Sequence, residues 1–213
     1  MNMPCASAQS IPPTIERDSN WATVSHVTLA LGVASVALMP RVYYSSPDST
    51  VGWKGRWHMS SLAPAMTLTA VTLLVDGPIK QAVAGPRPGC NADQTNFALP
   101  DSGCESFGSP STHAFASWGA TGAGLSVFLV DTLKYSDGRF SAPSFIGNVA
   151  LPLASSFVTS AARSADGSGL GPENTKQVTI GAVTGVATGM LLGLGYALFQ
   201  EPDCAYGGAL ICW

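Results

Sequence analysis

Charged side chains are scarce in this sequence. Lys, Arg, Asp and Glu together make up 11% of its 213 residues, whereas hydrophobic residues make up 46%. Lys and Arg form no runs and the formal net charge is −3, so no basic surface for nucleic acid is predicted. A chain so poor in solubilising groups is typical of a single domain embedded in lipid.

The five cysteines lack the spacing of a metal or redox site. They include no Cys-x-x-Cys pair, and the three histidines lie far from them in the sequence. We therefore expect neither a bound metal nor a cofactor. Cys90 and Cys104 bracket one polar loop, and two interpretations stay open for them: a disulfide, if the loop faces an oxidising compartment, or two free thiols.

The sequence divides into two short tails and one long apolar region. Residues 1–20 lack the basic start and the small-residue cleavage pattern of a secretory signal, so they are predicted to remain as an N-terminal tail. Residues 21–200 are predicted to form a single helical membrane domain, and residues 201–213 a C-terminal tail.

Apolar segments recur through this domain at lengths that fit a lipid bilayer. Trp21 to Pro40 contains no charged residue, and its roughly twenty residues suffice to cross a membrane at about 1.5 Å of rise per residue. Further helices are predicted at about Ser60 to Val75 and on towards Lys80, Pro110 to Leu133, Pro143 to Ala162, and Gln177 to Gln200. The predicted fold is all-α, a membrane-embedded bundle of about five helices, with six as the alternative count.

The loops between these helices differ in charge. The loop after the first helix mixes basic side chains with aromatic rings, which predicts a turn at the membrane surface. The loops after the first and third helices together contain Arg41, Lys54, Arg56, Lys134 and Arg139. Because basic loops favour the cytoplasmic side, the N-terminus and the loop from Gly89 to Ser109 are predicted to lie outside.

Four glycines recur at four-residue intervals in the last predicted helix: Gly181, Gly185, Gly189 and Gly193. This spacing places them on one helical face, where a second helix backbone can approach closely. We expect a packing ridge, with a glycine-lined substrate groove as the alternative.

Two cations stand near the end of the second predicted helix, in the segment KQAVAGPRP. Lys80 and Arg87 at a membrane helix end indicate an anion nearby, a phosphate above all, although contact with lipid headgroups is the alternative. Asp76 lies just before them, beside Gly77 and Pro78, and is predicted to be a turn-forming carboxylate, as is Asp166.

The third predicted helix opens with SPSTHAF. Its free backbone N–H groups, together with the hydroxyls of Ser111 and Thr112, are typical of an anion site at a helix N-terminus. His113 lies in the first turn, where an imidazole can donate a proton to a leaving oxygen. A histidine that only hydrogen-bonds at the helix end is the alternative.

The order Lys-x6-Arg-Pro, then Pro-Ser-x-His about twenty residues later, resembles the first two signature motifs of the type 2 phosphatidic acid phosphatases. Vanadium haloperoxidases and bacterial acid phosphatases share that site, and the resemblance covers roughly residues 80–193. It implies a phosphate held by Lys80, Arg87, Ser111, the backbone at Thr112, and an arginine from a third motif. It also implies that His113 is the general acid. Thr112 departs from the family, which usually has glycine there.

The third family motif, Ser-Arg-x5-His-x3-Asp, is incomplete in this chain. Arg163 matches its arginine, but no histidine follows it. In the family that histidine is the nucleophile that accepts the phosphoryl group, and the aspartate orients it. If the following helix is aligned on its Val-x-x-Gly sequence, Glu173 takes the position of the nucleophile and Gln177 that of the aspartate.

No obvious residue replaces the missing nucleophile. A glutamate at position 173 is expected to repel a phosphate dianion instead of attacking it readily, unless its pKa is raised. His26 can reach the site only if the first helix packs against it, and His58 lies at the wrong end of the second helix.

The expected protein is therefore a degenerate relative of these phosphatases in a bacterial inner membrane, with its motif side facing the periplasm. A non-catalytic role is favoured, either in binding an anionic lipid headgroup or phosphate, or as a subunit of a membrane protein assembly. The alternative is an active phosphatase that hydrolyses a lipid phosphate or an isoprenoid pyrophosphate with an atypical nucleophile. The long uncharged segments argue against a third possibility, a soluble haloperoxidase-like enzyme.

Overall fold

A computed structural model describes residues 19–45, 52–56, 59–90, 104, 106–164 and 171–200. Most of the predicted N-terminal tail and all of the predicted C-terminal tail lie outside these residues. His58 and Asp166 do so too.

The described residues form five helical segments and one small sheet, which confirms the predicted helical bundle. The segments are α1 (Ser19–Leu38); α2 (Met59–Leu74), continued by a π-helical turn (Val75–Ile79) and α3 (Lys80–Val83); α4 (Thr112–Leu133); α5 (Ala142–Phe145), continued by a second π-helical turn (Ile146–Ala150) and α6 (Leu151–Arg163); and α7 (Thr175–Phe199). Their bounds lie within a few residues of the predicted ones.

The connection between α1 and α2 contains two strands, whereas only a turn at the membrane surface was predicted there. Strands β1 (Arg41–Ser45) and β2 (Gly52–Arg56) pair antiparallel, with Arg41 opposite Arg56. The Tyr44 and Trp53 rings meet edge to face, with centroids 5.5 Å apart. Aromatic and β-branched residues favour strands, so the composition of this loop carried a signal for the hairpin.

Four of the five helical segments are long and apolar enough to cross a membrane. They comprise α1, the segment Leu62–Val83, the segment Ala142–Arg163, and α7. The exception is α4, which was predicted as the third span. It contacts α1, α2, α6 and α7, and most of its residues are buried. Because α4 touches other helices on most sides, it is rich in small residues and has less need of lipid-facing apolar ones.

The glycine ridge of α7 packs against α4, as predicted. A Cβ added at Gly185 would overlap the carbonyl oxygen of Phe115, and one at Gly189 would overlap that of Gly119. At the start of both helices the Ser111 N–H donates to the Gln177 carbonyl at 3.1 Å. Close packing therefore fixes the N-termini of α4 and α7 side by side.

The helical segments alternate in direction, which gives the bundle two distinct ends. α1, α4 and α7 run one way, whereas α2–α3 and α5–α6 run the other, as shown by the contacts Thr28 to Thr159 and Asp76 to Thr112. We call the end where α4 and α7 begin the motif end. The end that carries β1 and β2 is the hairpin end. Between them, Val36, Leu68 and Phe115 belong to one apolar core.

Candidate functional site

The motif end contains a cavity of about 310 Å³. Its described lining residues are Asp76, Lys80, Gln81, Arg87, Ser106, Phe107, His113 and Arg163. The three cations come from α3, from the loop that follows it and from the last residue of α6, so three separate parts of the chain converge here. Three phosphate-binding residues expected from the sequence thus share one cavity with the expected acid, His113.

Lys80 is the cavity cation that the α2–α3 segment supplies, and its side chain is buried. It is 6% exposed, and its ammonium lies 3.0 Å from an oxygen of Asp76 one helical turn earlier. The same Asp76 oxygen accepts a hydrogen bond from the Thr112 hydroxyl at 2.7 Å. Asp76 was predicted to be a turn-forming carboxylate, and this was wrong. It lies inside a helix, in the π-helical segment Val75–Ile79, and its carboxylate links Lys80 of α3 to Thr112 at the start of α4.

Arg87 holds two loops together at the rim of the cavity. Its guanidinium donates to the carbonyl and the hydroxyl of Ser106, at 3.0 and 2.8 Å, and to the carbonyl of Pro172 at 2.9 Å. A disulfide joins Cys90 to Cys104 in the first of these loops, which decides between the two interpretations left open for this pair. Arg87 thereby attaches its own loop, between α3 and α4, to the residues that precede α7. We call this loop the first-motif loop.

Arg163 is occupied by Glu173, the residue aligned with the missing nucleophile. The guanidinium donates to both carboxylate oxygens, at 3.1 and 2.9 Å, and the Ser111 hydroxyl donates to the same carboxylate. Glu173 has no exposed surface. Burial by itself raises the pKa of Glu173, but the hydrogen bond and charge of Arg163, with help from Ser111, outweigh it and hold that pKa below its ordinary value. Glu173 is thus an ionised carboxylate at neutral pH.

Two histidines meet at the side of the cavity. His113 Nε2 lies 3.0 Å from His26 Nδ1, and the two rings stand edge to face with centroids 4.6 Å apart. His26 can reach this position because α1 packs along α6, where Thr28 and Thr159 share a 2.7 Å hydrogen bond. The sequence allowed His26 to reach the site only if the first helix packs against it, and α1 does pack in this way.

Ser111 and Thr112 do not line the cavity, although they were expected to hold a phosphate. The Ser111 hydroxyl accepts from the Ala114 N–H at 3.2 Å as the cap of α4 while donating to Glu173. The Thr112 hydroxyl is directed at Asp76. Each hydroxyl therefore already bonds a carboxylate of this chain.

Gln177 serves as a structural cap. Its side-chain oxygen accepts from the Asn174 N–H at 3.0 Å, its own N–H donates to the Asn174 side chain at 2.9 Å, and its amide nitrogen donates to the Pro86 carbonyl at 2.8 Å. A Cβ at Gly108 would overlap this side chain. Gln177 therefore starts α7 and fixes the first-motif loop through hydrogen bonds to Asn174 and Pro86.

The arrangement is suited to binding an anion. Cationic groups from three segments face one cavity, whereas the described residues include no group of three or more His, Cys, Asp or Glu side chains placed to hold a metal. No model of a known protein family, no curated protein and no solved structure matches this chain. The resemblance to the phosphatidic acid phosphatases therefore rests on the motifs themselves.

Sequence reasoning missed several cavity residues. Ser106, Phe107 and Gln81 line the space, yet none belongs to a motif position that was singled out. Ser106 lies in the stretch CESFGSPSTHAF, and its position beside the disulfide loop was the one available signal. Asp76 could have been suspected from its four-residue distance to Lys80 on a helix.

Proposed function

We propose that this chain is a membrane-embedded anion-binding protein, a non-catalytic relative of the type 2 phosphatidic acid phosphatases that binds the phosphate group of a lipid headgroup. The observation that carries the proposal is the convergence of Lys80, Arg87 and Arg163 on one cavity. A phosphate group can accept charge-assisted hydrogen bonds from several cations at once, so a cavity that gathers three of them from separate segments favours an anionic ligand.

Glu173 supports the non-catalytic half of the proposal. The family's nucleophile is a histidine, and the residue aligned with it here, Glu173, has no exposed surface and holds both carboxylate oxygens in hydrogen bonds. Glu173 is an ionised carboxylate held by Arg163 and Ser111, and a phosphate ester approaching it meets repulsion. The chain retains most of the family's cations while the group that would attack phosphorus is replaced by an anion.

We place the motif end on the periplasmic side of a bacterial inner membrane. The disulfide between Cys90 and Cys104 lies at this end, and disulfides persist in oxidising compartments. Lys134 and Arg139 lie beyond α4 at the opposite end, where basic residues favour the cytoplasm. A headgroup of the outer leaflet could then enter the cavity from the membrane surface. A role as the lipid-binding subunit of a larger membrane assembly is compatible with this placement.

One observation favours the second candidate, an active phosphatase acting on a lipid phosphate or isoprenoid pyrophosphate. His26 lies within hydrogen-bonding distance of His113, so a second imidazole is present beside the expected acid even though the third motif of this chain has no histidine. In that reaction a ring nitrogen of His26 bonds to phosphorus while the bond from phosphorus to the leaving oxygen breaks. His113 gives that oxygen its proton, and water then hydrolyses the phosphohistidine.

Hydrolysis and binding assays on the full chain in detergent separate the two candidates. We expect no turnover of an aryl phosphate or of phosphatidate, and we expect binding of an anionic phospholipid in native mass spectrometry that weakens in Lys80→Ala and Arg87→Ala. Turnover that is lost in His113→Ala, Arg163→Ala and His26→Ala alike would establish the phosphatase instead.

A further inference from the structure

Two of the three cations that line the cavity already have a carboxylate partner. Glu173 accepts two hydrogen bonds from Arg163, and Asp76 lies 3.0 Å from the ammonium of Lys80. Arg87 donates to the carbonyl and hydroxyl of Ser106 and to the carbonyl of Pro172. Described carboxylates therefore offset the positive charge of two of the cavity's three lysine and arginine side chains.

Glu173 is built into this site and cannot easily yield to an incoming anion. It has no exposed surface, its carboxylate is bonded by Arg163 and Ser111, and its own N–H donates to the Arg163 carbonyl at 3.2 Å. An outside anion that displaced it would leave a buried carboxylate without its partner, which is strongly unfavourable. A ligand in the cavity must therefore leave Glu173 in place behind Arg163 and tolerate its charge.

The charge of the ligand decides whether such a site is favourable. A phosphate monoester carries about −1.5 to −2 charges near pH 7, because its second pKa lies near 6. A phosphodiester carries one negative charge at any pH above its single low pKa. A dianion meets stronger repulsion from Glu173 and Asp76 than a monoanion does, and it keeps more unneutralised charge in a partly enclosed cavity, which is costly.

We infer that Glu173 sets the charge of the anion that the cavity accepts, so that it binds a monoanion such as the phosphodiester of a lipid headgroup in preference to a phosphomonoester dianion. This inference rests on the proposed function and narrows its ligand class. Glu173, the residue aligned with the family's nucleophile, thus also disfavours phosphomonoester dianions, which are the ordinary substrates of the family that this chain resembles.

Matched soluble headgroups provide the test. Isothermal titration calorimetry on the full chain in detergent at pH 8, where an ordinary imidazole is neutral, would compare glycerophosphoglycerol, with one negative charge, to glycerol 3-phosphate, with two. We expect the diester to bind about tenfold more tightly or better. Nanodiscs containing phosphatidylglycerol, compared with phosphatidylcholine alone, then distinguish a lipid headgroup from a free diester, because only a bound lipid headgroup competes with the soluble probe.

Glu173→Gln and Asp76→Asn each replace a carboxylate by an amide of nearly the same shape and remove one negative charge, whereas Glu173→Asp keeps the charge. Glu173→Gln is expected to reverse the preference in favour of glycerol 3-phosphate, and Glu173→Asp to retain the preference for the diester. Asp76→Asn is a second route to the same reversal. It is expected to fold even if Glu173→Gln does not, because the Asp76 side chain is 58% exposed. Asp137→Asn, an exposed change at the hairpin end, removes one negative charge from the protein and should leave both affinities unchanged.

The outcomes separate the inference from the proposed function. Equal or tighter binding of glycerol 3-phosphate by the unmodified protein overturns the charge preference and leaves anion binding intact. Unchanged preference in both Glu173→Gln and Asp76→Asn also overturns it. Failure of every anion to bind, with no effect of Arg87→Ala, overturns the proposed function and the inference together.

Discussion

The two ends of the bundle each hold a buried arginine paired with a carboxylate, in very different surroundings. At the hairpin end Arg41 donates from Nε to both oxygens of Asp131 at 2.9 Å and from another nitrogen to the Gln200 carbonyl at 2.6 Å. The neighbouring cavity measures about 10 Å³, compared with about 310 Å³ beside Arg163. The same pair of chemical groups is thus closed off at one end and open to a ligand at the other.

Sequence distance separates the two pairs as clearly as the cavities do. Asp131 lies 90 residues after Arg41, so that pair joins β1 to the end of α4, whereas Glu173 lies 10 residues after Arg163, across one junction. Among the described residues, additional cations face the same space at the motif end, namely Lys80 and Arg87, and none lines the cavity beside Arg41. A buried ion pair alone therefore indicates no function. The cavity and the surplus of cations beside it carry the functional inference.

The largest predicted loss of stability follows a substitution at the hairpin end. Asp131→Ala leaves the Arg41 charge buried with no carboxylate partner and almost no space for water, so we expect a loss of about 3–5 kcal/mol in the free energy of unfolding. Denaturant unfolding of the detergent-solubilised protein measures it. Added sulfate or phosphate should not restore stability, because the cavity beside Arg41 is too small to admit either ion.

A change in the middle of the bundle should weaken both ends together. A Cβ at Gly189 overlaps the carbonyl of Gly119, so Gly189→Ala must push α7 away from α4, at a cost of about 1–3 kcal/mol. Gly195→Ala is the matched control, because nothing lies within 4 Å of a Cβ there. Equal stability of the two alanine variants would contradict the close packing of α4 and α7.

At the motif end, loss of the arginine's carboxylate partner should lower the free energy of unfolding by less, and an added anion should restore part of the loss. Glu173→Gln removes the partner of Arg163, but the cavity lets water or an anion reach the guanidinium, so we expect a loss of about 1–3 kcal/mol. Millimolar sulfate should recover part of it, as seen in thermal unfolding with and without the salt. A Glu173→Gln variant that no anion stabilises would remove the contrast between the two ends.

The smallest predicted effect concerns pH. The folded-state pKa of Glu173 lies below its ordinary value of about 4.5, so its ion pair stabilises the fold above that value, and the contribution is lost as pH falls through the folded-state pKa. The difference in stability between the unmodified protein and Glu173→Gln should therefore shrink between pH 5 and pH 3. A difference that stays constant over this range would mean that the Glu173 charge contributes nothing.

Much of the fold was readable from the sequence because its signals are periodic or compositional. Uncharged segments of bilayer length marked α1 and α7, and the glycines at four-residue intervals marked the face of α7 that meets α4. The hairpin of β1 and β2 was missed, since aromatic residues near basic ones also suit a loop at the membrane surface. The burial of α4 inside the bundle depends on where all the other helices pack, which no local pattern records.

The candidate site was only partly predictable for a similar reason. Lys80, Arg87, His113 and Arg163 were identified from motif spacing, and they share the cavity. The roles of Ser111 and Thr112 could not be predicted, because each hydroxyl has a carboxylate partner supplied by another part of the chain. The meeting of His26 with His113 likewise depends on the packing of α1, a contact between residues 87 apart in sequence.

The π-helical turn at Val75–Ile79 determines which way Lys80 points. An α-helix advances about 100° per residue, and a π-helical turn accommodates an additional residue, so everything after it is rotated by roughly that angle. Lys80 follows the turn directly and lies buried at the cavity. Deleting one residue from this turn would shorten the helix very little, yet it would rotate the ammonium of Lys80 out of the cavity. A single-residue deletion in this segment would therefore redirect the binding site, even where every residue of the motif remains in the sequence.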